Sequence, residues 1–226
     1  MSFSLTDRVP LGKSGLSVPR VSFGTAGLGN MPETFGFSVS EEDAAATLAA
    51  VFKSPINSLD TARNYGMGEA ERRIGIAIKA NGGLPKDFVL ATKLDRDFQT
   101  NKFDAARARR SLEESLKALG LDRIPLLHFH DPEYASSLED VTKKGGALDE
   151  LFKMKSEGLC QAVGLGAGRT DIMMDLIKDY PFDVVLTHNR YTIVNRHSAP
   201  LIDACAARGI AVFNAAPYAS GVLAQG

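Results

Sequence analysis

Seven short apolar or β-branched runs, separated by longer stretches of helical periodicity, constrain this sequence more than any other feature. The runs occupy 20–24, 56–60, 88–93, 124–130, 162–166, 184–188 and 210–215. The stretches between them carry helix start and stop signals. Ser40 precedes Glu41, Glu42 and Asp43, an N-cap followed by acids where the helix dipole favours them, and the segment beginning at Phe103 and Asp104 closes at Leu119 with Gly120 placed as a C′ glycine. Strands that alternate with helices of this length form a parallel sheet covered by helices, and seven such units exceed a small nucleotide-binding half. The expected fold is therefore α/β, a (β/α)8 TIM-type barrel in which about seven units are recognisable and the eighth is missing after the stretch 216–226. Ahead of the first unit, two short alternating runs around a turn (8–18) suggest a hairpin plugging the barrel floor. With 226 residues, 44% of them apolar, and no linker-like segment, residues 1–226 are expected to form a single domain.

Charge and cysteine usage remove several classes of function. A net charge of −1 provides no basic field for phosphates, so neither nucleic acid nor an anionic membrane is expected as a partner. Cys160 and Cys205 match no metal or redox spacing and read as inert core thiols of a reducing compartment. The first residues show no basic-then-apolar signal pattern, and no apolar run is long enough to span a bilayer; a cytoplasmic location is expected.

The chemistry concentrates at predicted strand ends. Asp60 ends the second run and Tyr65 follows on a Gly-flanked loop; the C-terminal mouth of a parallel barrel is where such groups can converge. Lys93 ends the third run, and alternation points it into the same mouth, either reaching for solvent or buried against a carboxylate. His128 and His130 share one face of the fourth run and His188 ends the sixth. A metal-dependent hydrolase using His128, His130 and His188 is one alternative, with His128 by itself reading as a hydrogen-bonded interior histidine. A barrel that binds a cofactor or a partner without turnover is another. The glycines of 23–29 and 164–168 lack the spacing of a dinucleotide fingerprint and read as tight loops.

Taken together, Gly24-Thr-Ala26, Asp60 with Tyr65-Gly-x-Gly-Glu69 and Gly75, Ala91-Thr-Lys93 and the strand-four histidine resemble the signatures of the aldo/keto reductase superfamily, and the resemblance runs along essentially the whole chain. His130-Asp-Pro-Glu133 and Asn214-Ala-Ala-Pro-Tyr218 look most like bacterial aldose dehydrogenases of the D-threo-aldose type. The resemblance implies NADP or NAD as cofactor and a small sugar or aldehyde as substrate. It implies a catalytic set of Asp60, Tyr65, Lys93 and His130, in which Tyr65 is the general acid or base, Lys93 lowers its pKa, Asp60 holds Lys93, and His130 orients the carbonyl. It places Gly24, Thr25, Ala26, Asp60, Gly166, His188, Ala215, Pro217 and Tyr218 around the cofactor, and Phe35, Phe37, Tyr65 and His130 around the substrate, with no metal. Four positions differ from the family pattern: Gly166-Ala167 stands for Ser-Asn, His188 for Gln, and Ala215 for an aromatic residue. The family's adenosine anchor belongs to the eighth unit. Without that unit the barrel edge is expected to be open and to invite self-association.

Overall fold

The computed structural model describes residues 4–223. Its sheet has seven parallel strands in the order β3 (Phe23–Gly24), β4 (Ser58–Asp60), β5 (Val89–Leu94), β6 (Ile124–His130), β7 (Cys160–Ala167), β8 (Val184–His188) and β9 (Ala211–Ala215), each paired with the next in sequence. Helices α2 (Glu41–Lys53), α3 (Glu69–Ala80), α4 (Ala105–Leu119), α6 (Ala147–Ser156), α7 (Thr170–Asp179) and α8 (Ala199–Arg208) connect them, so the expected repeat of strand and helix is present throughout. Seven strands curve into a nearly closed barrel. Among the described residues β3 and β9 do not pair with each other, and their outer edges are the surfaces to which the expected self-association would fall.

Local signals act where they were read. Ser40 Oγ accepts from the Asp43 amide and Asp104 from the Arg107 amide, and Gly120 closes α4 at φ 67°. Two smaller helices, α1 (Pro32–Phe35) and α5 (Leu138–Thr142), stand outside this alternation. Strands β3 and β4 are shorter than the runs that announced them, with two and three residues. Among the described residues β3 pairs with β4 alone, in register Phe23 with Leu59 and Gly24 with Asp60.

Apolar side chains pointing outward from the strands meet the helices in one large core that includes Leu59, Leu90, Leu127, Phe129, Val163, Leu165 and Val185. Inward-pointing Val89, Ala91, Leu126, Ala162 and Val184 form a second, smaller cluster with Leu11 and Val18 of the N-terminal hairpin, β1 (Arg8–Pro10) and β2 (Ser17–Pro19). The hairpin thus plugs the floor, as expected. Polar chemistry is left to the opposite, C-terminal end.

Candidate active site

Strand β5 delivers Lys93 to the centre of the C-terminal end, where its side chain is 1% exposed. Its Nζ donates to Asp60 Oδ2 (2.7 Å), to the Thr61 carbonyl (2.6 Å) and to Tyr65 Oη (3.2 Å). The choice between a snorkelling and a buried lysine is settled: the ammonium is buried and fully supplied with acceptors. Burial alone would favour the neutral amine, but the Asp60 carboxylate and Tyr65 outweigh it, and the Lys93 pKa is raised.

Tyr65 is half-buried on a loop fixed by contacts that leave no room for side chains. A Cβ on Gly66 (φ +61°) would sit 1.9 Å from the Gly29 carbonyl oxygen, and one on Gly29 would sit 2.7 Å from the Tyr65 carbonyl carbon. Of the 23–29 glycines, Gly29 therefore serves loop packing, as read. Thr25 ties the first loop to Asp60, its amide and Oγ1 both donating to the Asp60 carbonyl at 3.0 and 2.9 Å. Buried Arg73 donates to the carbonyls of Leu28 and Val39, both at 3.0 Å, and so anchors the loop that holds Phe35 and Phe37. Those two rings contact each other at 6.1 Å, while the ring partner of Tyr65 is His130, edge-on at 6.4 Å.

Lys93 lowers the Tyr65 pKa, as expected, but it does not set the net direction. Burial raises the Tyr65 pKa by more than Lys93 lowers it, with Asp60 adding to the rise, so the net shift is upward and the group rests as a phenol.

His130 ends β6 opposite Gly166 of β7 and is 8% exposed. Its Nδ1 lies 2.7 Å from Asp95 Oδ1, and its Nε2 lies 3.6 Å from Asp131 Oδ2. Desolvation pulls its pKa down, but Asp95 and Asp131 outweigh that and raise it. His128, two residues earlier, is interior as read but not hydrogen-bonded: neither ring nitrogen has a partner among the described residues. The space it fills belongs to Gly164, where a Cβ would come within 2.3 Å of His128 Nδ1. Burial, with Lys93 and His130 nearby, drives the His128 pKa well down. This geometry gives the metal alternative no support. His128 is sealed, His130 is engaged by Asp95, and no set of three or more His, Cys, Asp or Glu among the described residues is arranged to hold an ion.

The expected cofactor positions lie along the mouth. Gly24 ends β3, where a Cβ would meet nothing within 4 Å, and a Cβ on Gly166 would reach the Lys93 methylenes at 3.8 Å. Ala215 pairs with His188 at the ends of β9 and β8; Pro217 and Tyr218 follow on the next loop, with Tyr218 60% exposed. Gly166 thus lies beside the Lys93 methylenes, with no side chain of its own between them and the mouth. Two buried carboxylates were not foreseen. Glu71 accepts from Thr92 Oγ1 at 2.6 Å, and burial raises its pKa. Asp95 is 0% exposed, and the alternation that singled out Lys93 puts it, two residues on, facing the same way.

The aldo/keto reductase family profile matches residues 20–226. The chain is 34% identical to L-galactose dehydrogenase of Arabidopsis thaliana over 95% of its own length and 66% of that protein, and 30% identical to D-threo-aldose 1-dehydrogenase of a Pseudomonas species over 94% and 69%. It spans about two thirds of these curated relatives. The fold is similar to an aldo-keto reductase of Bacillus halodurans solved in its holo form, with a TM-score of 0.79, 25% identity, and coverage of 96% of this chain and 68% of that one. Aldo/keto reductases are oxidoreductases that use NADP(H) or NAD(H). Fold, buried Lys–Asp–Tyr cluster and profile agree, and the chain belongs to the aldo/keto reductase family.

Proposed function

We propose that this protein interconverts an aldose or aldehyde and its oxidised or reduced partner with NADP or NAD, using Tyr65 as general acid or base. The observation that carries the reading is the buried ammonium of Lys93, held by Asp60 and Thr61 and donating to Tyr65 Oη. Gly24, Thr25, Ala26, Asp60, Gly166, His188, Ala215, Pro217 and Tyr218 would surround the nicotinamide end of the cofactor, which supplies or accepts the hydride.

In the reducing direction, charge develops on the carbonyl oxygen as hydride arrives at carbon. Tyr65, resting as a phenol, donates its proton there, and Lys93 stabilises the phenolate left behind in a water-poor site. In the oxidising direction Tyr65 first releases its proton to solvent, and the phenolate held by Lys93 then takes the hydroxyl proton. His130 borders Tyr65 edge-on and orients the substrate oxygen. Asp60 keeps Lys93 in place; without it a buried cation would lose its counter-charge, a loss of several kcal/mol in comparable pairs. Phe35 and Phe37 supply an apolar wall at the rim for the substrate's non-reacting face. The homologues that act on L-galactose and D-threo-aldoses, by their names, support a sugar lactol as the oxidisable group.

Tyr65→Phe tests the assignment. It should lower kcat for aldose oxidation on the order of 10²-fold or more while NADPH fluorescence titration shows cofactor binding within about two-fold of the parent. Near-parental kcat in this variant would rule out the phenol as the proton carrier.

A further inference from the structure

Asp95 has no part in the chemistry so far, yet it is wholly buried and joined to both halves of the site. One oxygen, Oδ1, lies 2.7 Å from His130 Nδ1; the other, Oδ2, accepts the Asn64 amide at 2.8 Å, one residue before Tyr65. Its own amide receives no freedom either, because it donates to Ser111 Oγ of α4 at 2.9 Å, and Arg107 Nε donates to its carbonyl at 3.2 Å. A group fixed at four points from α4, the Tyr65 loop and β6 is a built bracket.

We propose that Asp95 is a positioning residue that fixes the tautomer of His130 and the backbone leading into Tyr65, so that the imidazole presents Nε2 alone to the substrate oxygen. The chemistry follows from donor and acceptor counts. An ionised carboxylate only accepts, so Nδ1 must carry a proton. A neutral His130 then has a bare Nε2, able to accept from a hydroxyl, whereas a charged His130 has an Nε2–H, able to donate to a carbonyl. Asp95 thereby makes the histidine's charge the selector between its two uses. The groups that face His130 are Asp95 and Asp131, which favour the charged ring, Lys93 from β5, which opposes it, the Tyr65 ring edge, His128 on the same strand, and His188 of β8. The consequence for turnover rests on the oxidoreductase reading; the tautomer does not.

The test uses the whole protein labelled with 15N. It has four histidines, and His130→Gln assigns the His130 signals in two-bond 1H–15N spectra followed from pH 5 to 9. In the parent, the neutral form of His130 should be protonated at Nδ1. In Asp95→Asn the midpoint of the His130 titration should fall, and the basic limb of the pH profile for carbonyl reduction should move to lower pH by the same interval. Near that limb kcat/KM should drop about ten-fold or more, recovering at lower pH. A neutral parent His130 protonated at Nε2, or an unchanged midpoint in a folded Asp95→Asn protein, overturns the proposal. Should Asp95→Asn not fold, the tautomer of the parent decides alone. A protein with no turnover but with Nδ1–H on His130 refutes the oxidoreductase reading and leaves the bracket standing.

Discussion

Two histidines on one face of one strand have opposite relations to acid. His128 has a depressed folded pKa, so below about pH 6.5 the unfolded chain takes up a proton that the folded chain refuses, and stability is lost as pH falls. His130 has a raised folded pKa; its contribution is complete below about pH 6.5 and is lost as pH rises through the folded value. Urea unfolding of the parent should therefore lose up to about 1.4 kcal/mol per pH unit to His128 on acidification below pH 6.5. His128→Leu should flatten that limb and leave the alkaline one; an unaltered acid limb would mean that the buried ring is not the group being titrated. At this scale the sequence was informative where strand alternation applied. Asp60, Lys93, His128 and His130 all sit at strand positions whose facing follows from a period of two. Asp95 escaped notice because it lies one residue past the end of β5 and its partner is 35 positions away, a separation that carries no local signal. The direction of the Tyr65 shift escaped for a different reason, since the balance between burial and a neighbouring cation exists only once the loops are packed.

Elements position the site through contacts between loops as much as through strands. The first loop and the Tyr65 loop touch backbone to backbone at Gly29 and Gly66. Gly66→Ala should cost about 2–4 kcal/mol, from a left-handed φ combined with overpacking, and should lower kcat because the displaced peptide is the one attached to Tyr65. Gly82→Ala is the matched control, for Gly82 also has positive φ (+76°) but an added Cβ there meets nothing within 4 Å. Calorimetry on the pair checks the claim: equal losses would show that conformation, not close approach, sets the cost. The pattern GxxGxG announced tight turns but could not say which loops would meet. Helix ends were legible in sequence because Ser40, Asp104 and Gly120 act within one turn of themselves. The short helix α1, at Pro32–Phe35, was not, since four residues hold too little periodicity to register.

The molecule as a whole alternates seven strands with six connecting helices and gathers Asp60, Tyr65, Lys93 and His130 at the end opposite the hairpin. That repetition is why fold class was readable from apolar spacing alone, and why the substrate is not, since it depends on loop surfaces that no periodicity encodes. A further consequence of the sealed Lys93 concerns chemical labelling. Acylating reagents attack amines that are both reachable and uncharged, and Lys93 is neither, whereas Lys53 and Lys79 stand on exposed helix ends. In a short acylation pulse, mass spectrometry should find Lys53 and Lys79 modified and Lys93 untouched, with Lys93 joining them in urea along the same curve as loss of circular dichroism. Modification of Lys93 at the rate of Lys53 in native buffer would contradict the buried cluster. One amine at the centre of the barrel would then serve as a chemical clock for the opening of the whole chain, read from a single peptide.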